Sequence, residues 1–220
     1  MYFLGSLAKT LIRGTLCRTI KGEKLVLSYN LSNYLEEAGW FASVRLRQSI
    51  DKYGEAIPWF TYPMLHFLSS RVQRDWRVFE FGSGNSSIWW AKRVEVLVSC
   101  ENDEGWYLAT KSRLTPNAEI LLKDARESDY AAAARNFGGS FDVIVLDGRN
   151  RVDCAIQSLS ALSERGVYIW DNSDRARYTE GYGILLSAGF RRLDFSGLGP
   201  INTTEWSTSV FYRDDNCLGI

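Results

Sequence analysis

A series of short apolar runs, each closed by an acidic residue, limits the possible folds of this chain more than any other feature. Successive acids lie 21 to 24 residues apart. That interval accommodates one strand, one helix and two short loops of a βαβ unit. Uninterrupted apolar runs are typical of parallel strands that are buried on both faces. The five acids are Glu80, Glu101, Asp124, Asp147 and Asp171.

This alternation predicts a mostly parallel α/β sheet with helices between its strands. Strands are predicted near 77–81, 95–100, 118–122, 141–146 and 166–170, followed by β-like runs at 191–196 and 207–213. Helices are predicted near 86–93, 104–114, 128–137, 152–163 and 178–188. The loop between the last two strands is too short for a helical crossover, so these strands are predicted to pair antiparallel. Ligands of open α/β sheets bind beyond the carboxyl ends of the strands, which predicts that the five acids border a ligand crevice.

The first 75 residues are predicted to form a helical N-terminal extension, or lid, ahead of a main domain over residues 76–220. They include a helix-like stretch over Leu31–Ser49 and an amphipathic stripe within residues 1–16. The favoured interpretation is that the stripe packs on its own domain or on a second copy in a homo-oligomer. The alternative is peripheral membrane contact, because a basic amphipathic helix can lie on a membrane surface.

The composition excludes several classes of function. Lysines and arginines number 26 and acids also number 26, so the net charge is zero and no nucleic-acid partner is expected. The chain has one histidine and four scattered cysteines, which disfavours a histidine-rich metal site, a zinc site or a Ser-His-Asp triad. Free thiols and the lack of a secretory signal or an apolar run of membrane-spanning length predict a cytoplasmic location.

A glycine-containing loop follows the first predicted strand and opens the next helix. Its candidate ligand-binding residues are Glu80, Gly82, Ser83, Gly84, Asn85 and Ser86. Glycines let the backbone approach a ligand closely, but two of them form a weak signal, and a dinucleotide fingerprint would need a third glycine where Ser87 stands. A carboxylate at Glu80 suits a cationic ligand better than a pyrophosphate. Glu101, at the end of the next strand, is placed to accept hydrogen bonds from two ribose hydroxyls.

Taken together, Val78–Gly84, Glu101 and Lys123–Ala125 resemble the nucleotide-side motifs of class I S-adenosylmethionine (SAM)-dependent methyltransferases. The resemblance covers roughly residues 58–213. It implies a Rossmann-like, seven-stranded, mostly parallel sheet whose last strand is antiparallel. It also implies that SAM binds with its methionine part near Gly82–Gly84, its ribose at Glu101 and its adenine near Asp124 and Ala125. The alternative is a Rossmann-like fold that holds another nucleoside.

At the other end of the series, Asp147, Asp171 and Asn172 resemble the metal site of divalent-cation-dependent O-methyltransferases of the catechol and caffeoyl-CoA types. Neighbouring strand ends lie about 5 Å apart, and Mg²⁺ or another divalent cation prefers carboxylate and amide oxygens. The alternative is that Asp147 is an ordinary acid of the fold and that the segment from Asp171 to Asp174 caps the next helix.

The catalytic base is the point at which the chain departs from that family. Catechol enzymes place a lysine three residues after the first metal-binding aspartate, and here Asn150 occupies that position. Asp174 or a metal-bound hydroxide is the candidate replacement, so the candidate catalytic residues are Asp147, Asn150 and Asp174. The lost lysine also supports a catalytically silent SAM-binding or scaffold protein as an alternative to an enzyme.

The predicted acceptor is a hydroxylated small molecule or a sugar. Tryptophan faces stack well on sugar and aromatic rings, and arginines near the predicted metal site suit a carboxylate or phosphate on the substrate. The aromatic candidates are Trp59, Tyr62, Trp89, Trp90, Trp170 and Trp206, and the arginines are Arg149, Arg151, Arg175 and Arg177. A metal-independent class I methyltransferase is the alternative if the cation site is absent.

Overall fold

The computed structural model of the protein describes residues 34–220. The amphipathic stripe within residues 1–16 lies outside the described residues. No helix of the described part is long and apolar enough to cross a membrane. The α-helices are α1 (Trp40–Leu46), α2 (Tyr62–Ser69), α3 (Asn85–Ala91), α4 (Glu104–Lys111), α5 (Ser128–Ala131), α6 (Ala133–Phe137), α7 (Arg151–Ser158) and α8 (Thr179–Ser187). The strands are β1 (Arg77–Phe81), β2 (Val96–Glu101), β3 (Ala118–Leu122), β4 (Phe141–Leu146), β5 (Leu162–Asp171), β6 (Arg191–Gly197) and β7 (Trp206–Tyr212).

The seven strands form one sheet in the order β3-β2-β1-β4-β5-β7-β6. Strands β1 to β5 pair in parallel, whereas β7 pairs antiparallel with both β5 and β6. The predicted Rossmann-like, seven-stranded α/β sheet with its last strand antiparallel is therefore confirmed. All seven predicted strands are present, each with at most a few residues of difference at its ends.

Hydrophobic side chains cover both faces of the sheet, as expected for strands that read as continuous apolar runs. On one face, Phe79, Ile144 and Trp170 pack against the helices that follow β3, β4 and β5. On the other face, Met64 and Leu68 of α2 pack together with residues of β1, β4 and β5. The second half of the predicted extension therefore contributes to the core of the sheet.

Three predicted helices are shorter or interrupted, each for a local reason. The helix-like stretch 31–49 is broken at Gly39, whose φ of +80° lies in the left-handed region and whose missing Cβ would lie 2.4 Å from the backbone of Asp51. The predicted helix 128–137 divides at Ala132. The predicted helix 152–163 ends at Ser158 because a short 3₁₀ turn leads directly into β5, which begins at Leu162.

Candidate functional site

The strand register places the five acids at different depths along the carboxyl edge of the sheet. Leu146 of β4 pairs with Trp170 of β5, so Asp147 and Asp171, the residues that follow these two, lie side by side. Glu80 pairs with Val145 and is therefore one residue inside its strand. The predicted clustering of acids at this edge is observed, but Glu80 lies beneath the crevice and the other acids lie closer to its opening.

A cavity of about 710 Å³, the larger cavity, opens above the ends of β1, β2 and β4. Its lining includes Glu80, Gly82, Ser83, Ser86 and Glu101, all of which are predicted ligand-binding residues. Gly82 has a φ of +96°, and a Cβ there would lie 3.2 Å from the backbone of Asp147. A glycine is therefore needed for the loop after β1 to lie against the end of β4.

Glu101 is fixed at the rim of this cavity by hydrogen bonds to both carboxylate oxygens. Oε1 accepts from the backbone N–H groups of Asn102 and Asp103 at 2.7 and 2.9 Å, and Oε2 accepts from Ser83 Oγ at 2.9 Å. The side chain is almost fully buried, and yet it lines the cavity. A carboxylate has about four lone-pair sites, so one remains for a ligand hydroxyl beyond these three bonds.

Glu80 is buried beneath the same cavity with one carboxylate oxygen unsatisfied. Oε2 accepts hydrogen bonds from Ser87 and, at 3.2 Å, from Ser99, whereas Oε1 has no hydrogen-bond partner among the described residues. Burial raises the pKa of Glu80 from its ordinary value of 4.5 to about 7, although the serine hydroxyls oppose this shift. Buried polar atoms are nearly always paired, so the orphaned Oε1 makes Glu80 a candidate for a ligand contact.

Four predicted ligand-binding residues do not line the larger cavity. Gly84 donates its N–H to Ser87, and the side-chain amide of Asn85 bonds Ser49 and Arg113, away from the cavity. Asp124 and Ala125 line an adjoining cavity of about 620 Å³, which shares Asn102, Arg149 and Asn150 with the larger one. Hydrogen bonds from the exposed Arg126 lower the pKa of Asp124 to about 2.

The guanidinium of Arg151 occupies the centre of the predicted metal site. Its Nη2 donates to Asp147 Oδ1 at 2.8 Å and to the Asp147 carbonyl at 3.0 Å, and its Nη1 donates to the Asp171 carbonyl and, at 3.3 Å, to Asn172 Oδ1. Arg151 is 7% exposed. A divalent cation would have to displace this buried, fully bonded cation, so Asp147, Asp171 and Asn172 do not fit such an ion.

The rest of the chain that the structure describes, residues 34–220, holds no group of three or more His, Cys, Asp or Glu side chains arranged for a metal ion. The predicted divalent-cation site is therefore unsupported. The physical reason is that α7 begins with Arg151, whose side chain folds back across the ends of β4 and β5.

Asp171 is held by its own strand neighbours. Its Oδ1 accepts from Trp206 Nε1 at 2.9 Å and from Thr208 Oγ1 at 2.6 Å, both on β7. Burial raises the pKa of Asp171, and these two hydrogen bonds oppose the shift. Burial likewise raises the pKa of Asp147 against the effect of Arg151. Arg151 thus bonds the Asp147 carboxylate directly, and it bonds Asp171 only through the backbone carbonyl.

The other two predicted catalytic residues take different positions. Asn150 adopts a left-handed conformation with a φ of +47°, donates to the Ala125 carbonyl, and lines the larger cavity. Asp174 instead accepts a hydrogen bond from the Ser207 backbone at 3.2 Å and lies outside the linings of the larger and adjoining cavities. The helix-capping alternative is also not observed, because neither the 3₁₀ turn Ala176–Tyr178 nor α8 has a side-chain cap.

A second crevice, the smaller cavity, has a volume of about 320 Å³ and lies beside Asp147 on the β5 side. Of the six aromatic candidates, Trp59 and Trp206 line it, whereas Tyr62, Trp89, Trp90 and Trp170 are core residues. Asp147, Arg151 and Arg175 line both this cavity and the larger one. The two cavities therefore meet at these three side chains.

Sequence patterns did not indicate several residues of the site. Trp106 lines the larger cavity and is 60% exposed, and Asn202 lines the smaller one. Ser99, on β2, bonds Glu80 because parallel pairing places these two residues opposite each other. For Trp106, the one signal that could have indicated it is its place in the first turn of α4, just after the end of β2.

No protein-family model and no curated protein matches the chain by sequence. Solved structures share its fold at low identity. A precorrin-6y C5,15-methyltransferase from Geobacter metallireducens is 13% identical with a TM-score of 0.54, and the match covers 69% of this chain and 87% of that one. A candidate methyltransferase from Streptococcus mutans, in complex with SAH, is 12% identical with a TM-score of 0.52, over 70% and 99% of the two chains.

The fold also occurs outside methyltransferases. Spermidine synthase from Thermotoga maritima is 19% identical with a TM-score of 0.51, over 72% of this chain and 58% of that one. These similarities show a Rossmann-like methyltransferase fold. Because one fold supports different reactions, the activity of this chain has to be argued from its own site.

Proposed function

We propose that this protein is a SAM-dependent methyltransferase that methylates a hydroxyl group of a small molecule without a resident metal ion. The observation that carries the proposal is the pair of acids at the larger cavity. Glu101 is fixed at its rim with a lone pair free, and Glu80 beneath it has an orphaned oxygen. A ligand with a hydroxyl group and a positive charge matches these groups.

The residues of the larger cavity fit SAM. Glu101 would accept from a ribose hydroxyl, and Gly82 lets the backbone approach the amino-acid part closely. The ionised form of Glu80 would offset the positive charge of the ligand in a buried environment. The adjoining cavity at Asp124 and Ala125 would receive the adenine. When bound, SAM supplies a methyl group on a positively charged sulfur.

Asp147 is the best candidate for accepting the proton of the acceptor hydroxyl. It lies where the two cavities meet, and its Oδ2 has no hydrogen bond within residues 34–220, whereas Oδ1 is held by Arg151. The raised pKa of Asp147 brings it closer to the value that suits a general base near neutral pH. Arg151 would orient this carboxylate and offset its charge.

The alternatives differ in what they predict for the acceptor. An aminopropyl transfer would require a cationic polyamine as acceptor, so turnover with a polyamine would favour that reaction over methyl transfer. A catalytically silent SAM-binding protein would bind the ligand without turnover. A nucleic-acid acceptor remains unexpected because the chain carries no net positive charge.

Calorimetric titration with SAM and with SAH tests the nucleotide half of the proposal. We expect both to bind and Glu101→Gln to weaken both by about 10- to 100-fold, the equivalent of a hydrogen bond to a charged group. Glu101→Gln is preferable to alanine because its amide oxygen still accepts from the Asn102 and Asp103 backbone. Glu119→Gln, which removes an exposed charge on β3, is the matched control. Undetectable binding, or equal affinities in both variants, contradicts the proposal.

A further inference from the structure

The smaller cavity has the position of an acceptor site for the proposed reaction. It meets the larger cavity at Asp147, Arg151 and Arg175, so a ligand within it would lie next to a ligand in the larger one. Its volume of about 320 Å³ is at the lower end of the range for small-molecule pockets, about 300–1,000 Å³. It can therefore hold a single ring and cannot enclose an oligomer.

Two tryptophans give this cavity walls on which a ring can stack. Trp59 is 43% exposed, although its neighbours Pro58 and Phe60 are buried. The segment is anchored to the sheet, because Thr61 N–H donates to Thr208 Oγ1 at 3.2 Å. Trp206 is held by Asp171. The exposed indole of Trp59 therefore offers a flat face at a fixed position, on which a ring can stack.

The loop that contributes Asn202 is built at an energetic cost. Ile201 has a φ of +70°, a strained conformation that is rare for a β-branched residue. The Asn202 carbonyl accepts from Trp40 Nε1 at 2.8 Å, so the strained turn is tied to α1. Strain of this kind is concentrated at ligand sites, where it positions a side chain such as the Asn202 amide.

Arg175 supplies a free positive charge at the junction of the two cavities. Its guanidinium is exposed and makes no hydrogen bond or ion pair with any residue from 34 to 220, in contrast to the fully bonded Arg151. Arginine binds carboxylate and phosphate groups through two parallel hydrogen bonds. Asn172 and Asn202 add amide groups that can bond hydroxyls.

We propose that the smaller cavity is the acceptor site and that it takes a single hydroxylated ring bearing a carboxylate or phosphate group. Trp59 stacks on the ring, Asn202 bonds its hydroxyls and Arg175 binds the anionic group. This proposal rests on the proposed function and specifies its substrate class.

Matched acceptor pairs test the anionic group. Turnover of SAM is measured with glucuronate against glucuronamide, with 4-hydroxybenzoate against 4-hydroxybenzamide, and with glucose 6-phosphate against glucose. We expect the anionic member of at least one pair to be preferred at least 10-fold in kcat/KM. Arg175→Gln should raise the KM of that acceptor about 10- to 100-fold and should remove the preference. Arg135→Gln, an exposed arginine outside both cavities, is the control.

A pair of tryptophan variants separates acceptor binding from SAM binding. Trp59→Ala should raise the acceptor KM and leave the Kd of SAH unchanged, because Trp59 lines only the smaller cavity. Trp106→Ala should raise the Kd of SAH and leave the acceptor KM unchanged. Failure of the wild-type protein to bind SAH refutes the proposed function. If SAH binds, three other results would overturn only the acceptor proposal. The first is that no anionic acceptor binds or turns over, and the second is that neutral rings or RNA are preferred. The third is that neither Trp59→Ala nor Arg175→Gln has an effect.

Discussion

Arg151 Nη2 lies 2.8 Å from Asp147 Oδ1, which places a guanidinium between the ends of β4 and β5. The same side chain donates to backbone carbonyls of Asp147, Gly148 and Asp171. Five N–H donors in a fixed fork can satisfy such a set of oxygens, which a compact cation would otherwise coordinate. The chain thus supplies its own positive charge where the sequence predicts Mg²⁺.

This relationship predicts an activity that is insensitive to chelators. Turnover in excess EDTA should equal turnover with added Mg²⁺, because no bound ion contributes to the acid pair. Arg151→Ala should leave Asp147 and Asp171 uncompensated and destabilise the fold by about 3–5 kcal/mol. Added Mg²⁺ or Mn²⁺ should then raise the Tm of Arg151→Ala and leave that of the wild type unchanged.

Arg151→Lys is the matched control for this experiment. Lysine keeps the positive charge but lacks the forked N–H donors of arginine. Arg151→Lys should therefore be more stable than Arg151→Ala, and its Tm should not change with added Mg²⁺. Loss of wild-type turnover in EDTA with recovery in Mg²⁺ would contradict the prediction and restore the metal-dependent mechanism.

Glu80 predicts a specific dependence of stability on pH. The ordinary pKa of a glutamate is 4.5, and at lower pH Glu80 is protonated in both the folded and the unfolded chain. Between pH 4.5 and about 7 the unfolded chain releases a proton that the folded chain keeps, so the free energy of unfolding falls as pH rises. The full loss, about 3 kcal/mol at 1.36 kcal/mol per pKa unit, is present above pH 7. Glu80→Gln should remove this slope in denaturant titrations.

The difference in free energy of unfolding between Glu80→Gln and the wild type therefore matters more than either value alone. From pH 4.5 to pH 8, the free energy of unfolding of Glu80→Gln should rise by about 3 kcal/mol relative to that of the wild type. Glu119→Gln, at an exposed acid, should run parallel to the wild type. Parallel curves for Glu80→Gln would show that the pKa of Glu80 is the same in the folded and the unfolded chain.

The fold was predictable from the sequence because its first five strands are apolar, regularly spaced and each have an acid at or just beyond the carboxyl end. The ends of its helices were less predictable because they depend on tertiary contacts. Gly39 is an example, since it breaks a helix-like stretch where the backbone of Asp51 approaches. A one-dimensional pattern contains no information on such an approach.

The site was predictable only where strand ends place it. Asp147 and Asp171 are adjacent, as predicted, because β4 and β5 are neighbours. Their partner could not be predicted, because whether a divalent cation or Arg151 lies between them depends on how the side chain of Arg151 folds back at the start of α7. Likewise, Trp59 reaches the smaller cavity through a loop whose path the sequence does not specify.

Gly199 predicts a link between packing and the acceptor site. A Cβ there would lie 2.3 Å from the indole of Trp206 and 2.4 Å from the Phe60 carbonyl. Gly199→Ala should therefore cost about 1–3 kcal/mol by overpacking and should displace Trp206 from Asp171. Acceptor KM should rise more than the Kd of SAH. Gly183→Ala is the control, because a Cβ at Gly183 in α8 meets nothing within 4 Å and should stabilise the helix. Equal effects of both variants would contradict the prediction.

Asp147 and Asp174, the two acids that the sequence offers as catalytic, should respond differently to the same substitution. Asp147→Asn keeps an oxygen for Arg151 but cannot accept a proton, so kcat of the folded variant should fall about 10²- to 10⁴-fold. Because burial raises the pKa of Asp147 above 3.8, wild-type kcat should rise with pH in a range above that value as the carboxylate ionises. That rise should be absent in Asp147→Asn.

Asp174→Asn should retain near-normal turnover, since Asp174 bonds only the Ser207 backbone among the described residues. Equal turnover in both variants, or an unchanged pH profile in Asp147→Asn, would leave Asp147 as no more than a partner of Arg151.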